Sequence, residues 1–338
     1  MGVGDLTVAR GAQRPSVFGR MALTLTPRRV GTQGVIYLLF ILAMVAFSIW
    51  APSFATTASM ANILRDAAPS VVVAVGMTFV IIAAEIDLSV ASTISLSGLV
   101  GAVLLGEPGV PWPLAVIAAL AIGAGVGLIN GLLVGYLGVP SFLITLGMLE
   151  AVGAIALMAT GTLSQPITST GFLAVFGPGS FLGVPLTAWW AIIVVLIGSY
   201  ILHGTKFGRW VYAVGDSRSA AQYAGISKKR VLIIVFVIAG VLAALTGVLL
   251  AGRITSGDPT AGTDMELGAI AAVILGGTDL FGGSGLIIGT VVGSVFLTAL
   301  QIGLILLGAS GQLQTLVTGA IIVGVVTMNG LAKGTRKS

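Results

Sequence analysis

The sequence predicts an all-α polytopic membrane protein of about ten transmembrane helices containing an internal repeat, and three observations carry that prediction. Mean hydropathy is +1.11, and 57% of the 338 residues are hydrophobic against 8% charged, whereas soluble domains carry about a quarter charged residues. The apolar residues gather in long runs separated by short polar stretches, the pattern of helical spans rather than the alternation of barrel strands. Many of the 49 glycines lie inside those runs, as small residues do where helices pack closely in lipid.

A span needs about 20 mainly apolar residues, and ten segments approach that criterion. They lie near 35–50, 67–85, 88–106, 114–135, 141–160, 187–203, 231–252, 266–278, 285–307 and 312–329. The eighth is short, and the sequence leaves open whether it is a full span or a re-entrant segment. Residues 1–33 read as a cytoplasmic tail for which disorder is one expectation, 34–330 as the transmembrane domain, and 331–338 as a second cytoplasmic tail. The first apolar core begins only at Val35 after five arginines, which argues against a cleaved signal peptide.

Charge sets the expected orientation. Of the 16 basic residues, five precede the first segment, three follow the last, and six (Lys206, Arg209, Arg218, Lys228, Lys229, Arg230) lie in a loop at 204–230. Because basic loops resist translocation, those fourteen belong on one side, which requires an even number of spans and places both termini in the cytoplasm. The exceptions, Arg65 and Arg253, have Asp66 and Asp258 nearby in sequence. Trp50, Trp112, Trp189 and Trp190 fall at the opposite span ends, where amphipathic rings favour the headgroup layer. The longest stretch on that outer side, Gly161–Leu186, is expected to be a loop able to meet an extracellular partner.

Shifting the chain by 192 residues lays Gly76–Val103 over Gly268–Val295, matching Asp87 with Asp279 and Ser92 with Ser284. Transporters are often built from such repeats. Whether these run parallel or inverted depends on how the short eighth segment is counted.

Ionisable and polar groups at membrane depth mark candidate pathway, gating or helix-cap positions: Glu85, Asp87, Ser89, Asn130, Glu150, Glu266 and Asp279. Asp87 or Ser89 can accept from the free N–H groups that open the next helix, and Asp279 or Ser284 can do the same in the second repeat. Glu150 is expected to face the bundle or the pathway. The chain has no cysteine and one histidine, which excludes disulfides, thiol chemistry and a His-rich metal site; no metal site is expected. Neither GxxxxGK[ST] nor GxGxxG occurs, so any ATP must be bound by another subunit. In the basic loop, SRSAAQYAGISKKR reads as a short helix closed by Gly225.

Four blocks, GMTFVIIAAEIDLSVAS, INGLLVGYLGVPSFLITLGM, TKFGRWVYAVGDSRSAAQYAGI and ELGAIAAVILGGTDLFGGSG, together closely resemble the permease subunits of ribose-type bacterial ABC sugar importers, over about Gly34–Gly330. The resemblance implies a bacterial inner-membrane subunit without catalysis or cofactor of its own. It implies partners as well: an ATPase that binds ATP and Mg, an extracytoplasmic sugar-binding protein, and a second permease copy, identical or paralogous. It also implies that Ala220, Ala221, Gly225 and Ile226, together with Gly215, form the segment coupled to the ATPase. The substrate class it implies is a monosaccharide or small polyol. Glu85 and Ala91 stand where that family often has glycine, Asp216 where a small residue is common, and Glu150 has no recognised counterpart. Two readings from other classes remain: an ion-coupled secondary transporter with Glu85, Asp87 and Glu150 as a proton relay, and an intramembrane hydrolase using Asp87 and Asp279.

Overall fold

The computed structural model describes residues 27–334. In chain order its helices are α1 (Pro27–Trp50), α2 (Thr57–Ile82), α3 (Val90–Gly106), α4 (Trp112–Leu137), α5 (Ser141–Thr160), α6 (Thr170–Phe176) and α7 (Leu186–Ser199), the last continued by a π turn over Tyr200–Gly204. There follow α8 (Lys206–Asp216), α9 (Arg218–Tyr223), α10 (Lys228–Ile254), α11 (Met265–Leu275), α12 (Ile287–Leu306) and α13 (Gly311–Gly334). The tail boundaries expected at 33 and 331 fall within α1 and α13, and residues 1–26 and 335–338 lie outside the described residues.

Among the described residues, six helices are long and apolar enough to cross a membrane: α2, α4, α5, α7 with its π turn, α10 and α12. They coincide with six of the ten segments expected from hydropathy. Phe40–Trp50 in α1, α3 and α11 are apolar but shorter. At 1.5 Å per residue the 11 residues of α11 span roughly 16 Å, about half a hydrocarbon core. Irregular backbone precedes it: Gly257 packs beside Ala102 and Leu99, and Gly262 beside Ile94 and Ala91, so the chain descends along α3 before the helix begins. The Ser95 hydroxyl accepts the Gly262 N–H there at 2.9 Å, supplying the partner that non-helical backbone needs inside a bundle.

The most enclosed span is α2, buried over most of its length. It begins ten residues earlier than hydropathy suggests, because the Thr56 hydroxyl caps it by accepting the Ser59 N–H at 3.2 Å. Pro69 sits inside it, and the missing N–H strips the Arg65 carbonyl of its helical partner. The Thr187 hydroxyl on α7 donates to that carbonyl instead, at 3.3 Å.

Around α2, helices α10, α12 and α7 pack closely, and α10 makes its most extensive contact with α4. At several glycines that contact brings main chain against main chain. Gly123 on α4 faces Gly240 on α10, and Gly127 faces the Phe236 backbone, so closely that a Cβ on any of these glycines would collide with the opposite main chain. Small residues permit such an approach, and dispersion between backbones replaces side-chain interdigitation.

The end of the bundle expected to face outward is more structured than a loop. Within the stretch expected to be irregular, β1 (Gln165–Pro166) pairs antiparallel with β4 (Ser256–Gly257), and β2 (Ser180–Phe181) pairs with β3 (Val184–Pro185) through a turn with positive φ at Leu182 and Gly183. Phe176 on α6 stacks on Trp190 at 5.0 Å and meets the edge of Trp112 at 6.3 Å. Two of the predicted interfacial tryptophans therefore fasten this layer as well. Arg253 pairs at 3.2 Å with Asp66 on α2, not with its sequence neighbour Asp258, which accepts from Thr260 instead.

Candidate functional site

Two helix breaks meet the basic segment at one end of the bundle, and the candidate site is built from these three pieces. Both breaks open with the same six-residue closure. After α2, the Glu85 N–H donates to the Val80 carbonyl at 3.1 Å and the Ala84 N–H to Ile81 at 2.9 Å; after α11, Thr278 donates to Val273 at 3.2 Å and Gly277 to Ile274 at 2.9 Å. This is the Schellman pattern, which needs a left-handed residue at its centre. Gly277 (φ 83°) fills that position in the second break and Ala84 (φ 60°) in the first.

The internal repeat is thus present at the backbone level, with a refinement. The helix ends match at a shift of 193 residues, whereas Asp87 and Asp279 match at 192, so the first break holds one extra residue between its closure and its aspartate. Each aspartate then makes the same turn: Asp87 Oδ1 accepts the Ser89 N–H, and Asp279 Oδ1 the Phe281 N–H, both at 3.0 Å. α11 and α2 end beside each other, so the two repeats run in the same sense. The second break is longer, and its added residues double back. The Gly283 N–H donates to the Ile82 carbonyl at 2.9 Å, and the Gly285 carbonyl accepts from the Tyr212 hydroxyl at 2.7 Å.

The expected caps need correction. α12 begins after Leu286 with no side-chain cap, so Asp279 and Ser284 cap no helix; Asp279 shapes a bend several residues upstream. Ser89 occupies the N-cap position of α3 without capping it by its side chain. Its hydroxyl donates to Asp87 Oδ1 at 2.6 Å and accepts from Asn130 Nδ2 at 2.8 Å, and all three residues are buried. Further up the break, the Ile86 N–H donates to the Ser141 hydroxyl at 3.1 Å and its carbonyl accepts from Thr145 at 3.3 Å. The first break therefore hangs from α4 through Asn130 and from α5 through Ser141 and Thr145.

The basic segment closes the junction. Thr205 caps α8 by accepting the Gly208 N–H at 3.2 Å, and Ser217 caps α9 by accepting the Ala220 N–H at 3.3 Å. Gly215, near the end of α8, lies against the Ile82 carbonyl oxygen and the Gly283 amide nitrogen with no room for a Cβ. Arg218, at the start of α9, donates from Nη2 to Glu85 Oε1 at 2.7 Å and to the Ala84 carbonyl at 3.4 Å. Glu85 is 6% exposed there. α9 ends as its sequence suggests: Gly225 (φ 75°) carries the left-handed turn while its N–H donates to Gln222 and that of Ile226 to Ala221, both at 2.9 Å.

The expected coupling residues divide by direction. Ala221 is buried against the helical bundle and Ile226 packs on its core, whereas Ala220, Ala224 and Gly225 are exposed. Tyr223, which the sequence does not single out, is the most exposed large side chain of the segment at 93%; an aromatic residue in an otherwise small, polar helix is the signal that could have found it. Glu150 lies outside the junction, exposed halfway along α5. Glu266 lies in the first turn of α11, buried, with Oε2 lacking a hydrogen-bond partner. His203 Nδ1 lies 3.3 Å from the Tyr212 hydroxyl.

A family model described as a branched-chain amino acid transport system permease component matches residues 59–326, which contain both breaks, the basic segment and α9. The chain belongs to this permease family. It is 40% identical over 303 residues to the ribose import permease of Escherichia coli strain K12, covering 88% of this chain and 92% of that one. It is similar to the ribose import permease of Bacillus subtilis strain 168 (40% over 294 residues, 86% and 90% covered) and to the D-allose transport system permease of E. coli K12 (34% over 298 residues, 88% and 91%). No solved structure matches it. As a permease with several apolar helices it is a multi-pass membrane protein and a transport component.

Proposed function

We propose that this permease is the membrane subunit of a bacterial ATP-binding-cassette importer that carries a monosaccharide or similar small polyol inward across the cytoplasmic membrane. The observation that carries the reading is the junction: a short capped helix, α9, presents Tyr223, Ala224 and Gly225 outward while Ala221, Arg218 and Gly215 fix it to both helix breaks. A partner pressing on α9 therefore moves the ends of α2 and α11 together. The relatives named for ribose and allose import supply the substrate class.

In this reading the chain crosses the membrane ten times, counting α1, α3, α11 and α13 with the six long helices, and both termini and the basic loop are cytoplasmic. ATP and Mg are held by a separate ATPase that seats α9, a binding protein delivers solute at the outer layer, and a second permease copy faces the exposed side of α5, where Glu150 meets the pathway. The permease performs no covalent step. Alternating access follows from ATPase closure moving the junction.

The rival transporter reading gains less. A proton relay needs its carboxylates in line, but Glu85 is tied to Arg218, Asp87 to Ser89, and Glu150 is exposed on a different helix. The hydrolase reading needs paired aspartates, and Asp87 and Asp279 each close their own turn.

The test replaces Gly225 with Trp. Any Cβ is strained at that φ, so the turn after α9 distorts while the spans stay intact. The expected result is normal membrane insertion with loss of ATPase co-purification and of ATP-driven uptake. Unchanged co-purification and transport would overturn the coupling role of α9.

A further inference from the structure

We propose that the Glu85–Arg218 ion pair is the tie through which α9 drives the first helix break and, through that break, helix α5. This rests on the importer reading above and extends it to two particular side chains.

Arg218 is the first residue of α9, and Glu85 the residue that ends the closure after α2; they are 133 positions apart in sequence. The pair is asymmetric. Arg218 is 49% exposed and Glu85 6%, so the carboxylate has given up most of its water and Arg218 replaces it. A half-exposed arginine survives loss of its partner, whereas a buried carboxylate stripped of its ion-pair partner is strongly disfavoured. The same guanidinium also reaches the Ala84 carbonyl, so it grips backbone and side chain of the break together. Charge-assisted bonds of this kind fix direction as well as distance.

From Glu85 the connection continues without a gap. The next residue, Ile86, is bonded at both its N–H and its carbonyl to α5, through Ser141 and Thr145. Glu150 lies one to two turns further along that helix. A displacement of α9 is thereby delivered to α5 through the ion pair, the main chain of residues 85–86 and the Ser141 and Thr145 hydroxyls. The contact on the other side, Gly215 against Ile82 and Gly283, is steric and can push the breaks but cannot pull them, and the Tyr212 hydroxyl on α8 holds the second break through the Gly285 carbonyl. In this chain the ion pair supplies the pull on the first break.

The experiment compares Glu85→Gln, Arg218→Gln, the double variant and Glu85→Asp in the permease reconstituted with its ATPase and binding protein, reading solute moved per ATP hydrolysed. That ratio is insensitive to how much protein accumulates. Arg218→Gln is expected to lower it by about tenfold while ATPase co-purification persists, and Glu85→Gln by less, because it leaves no buried charge. The double variant is expected to be no worse than Arg218→Gln alone, the non-additivity of two residues acting as one unit. Glu85→Asp keeps the charge but shortens the reach; it is expected to uncouple as Glu85→Gln does, and it serves as the readout if Arg218→Gln does not accumulate. Ratios unchanged in all variants, or strictly additive losses, would overturn the tie. If that occurs while Gly225→Trp still uncouples, only the tie fails; if Gly225→Trp is also silent, the importer reading fails with it.

Discussion

The Ile82 carbonyl at the end of α2 accepts the Gly283 amide at 2.9 Å, joining two repeats that lie some 200 residues apart. The last intrahelical acceptors of a helix need partners from outside it, and here one partner comes from residues the second repeat has and the first lacks. Each repeat's break is thus incomplete without the other.

Gly215 lies against that bond. Replacing a helical glycine with alanine ordinarily stabilises by up to about 1 kcal/mol. At Gly215 the sign inverts, because the new Cβ meets the Ile82 oxygen and the Gly283 nitrogen, neither of which is a flexible side chain. Gly215→Ala is expected to destabilise by about 1–2 kcal/mol net of the helical gain, read as a lowered midpoint in thermal unfolding of the detergent-solubilised protein. A raised midpoint would show that the junction is looser than described.

Ala84 gives the opposite case. It holds a left-handed conformation (φ 60°) at the position where the second repeat has Gly277, and an L-residue is strained there. Ala84→Gly is expected to stabilise by about 1 kcal/mol without altering the Arg218 contacts, which use only the Ala84 carbonyl. The same unfolding measurement checks it.

Two glycines two residues apart on α4 separate close packing from mere composition. Gly123 meets the Gly240 main chain, whereas nothing lies within 4 Å of a Cβ placed at Gly125. Gly123→Leu is expected to abolish accumulation of folded permease, and Gly125→Leu to leave it near the parent level, as seen by size-exclusion profiles of the fluorescent fusions. Equal outcomes would remove the argument for a backbone seam.

Hydropathy was enough to locate the six long apolar helices, and charge to mark the basic stretch that meets both helix breaks, because both are properties of contiguous residues. The C-cap of α9 was legible for the same reason: Gly225 follows a run of helix formers. What could not be read locally is what the tertiary fold decides. Nothing near Glu85 in sequence indicates Arg218, and Arg253 reaches Asp66 on another helix in preference to the adjacent Asp258. Asp279 resembled a cap because it precedes an apolar run, yet the five residues from 282 to 286 fold back before the helix starts. The 192-residue shift aligned the aspartates correctly and hid the extra residue in the first break, since apolar helices of similar composition align nearly as well one position out. The outer layer was missed for a different reason: strands of two residues and a seven-residue helix are shorter than any periodicity can reveal.

Along the glycine seam between α4 and α10, at Gly123, Gly127 and Gly240, no bulky side chain cushions one helix against the other. Cylinders that touch main chain to main chain there have little slack, so the pair behaves as one girder. α10 begins at Lys228, a few residues after α9, and ends at Ile254 beside the strand that clasps the outer layer; its 27 residues make a rod of roughly 40 Å. Tilting the near end by a given angle swings the far end by the same angle and a larger arc. A small displacement at the Lys228 end therefore becomes a wider sweep at the Ile254 end.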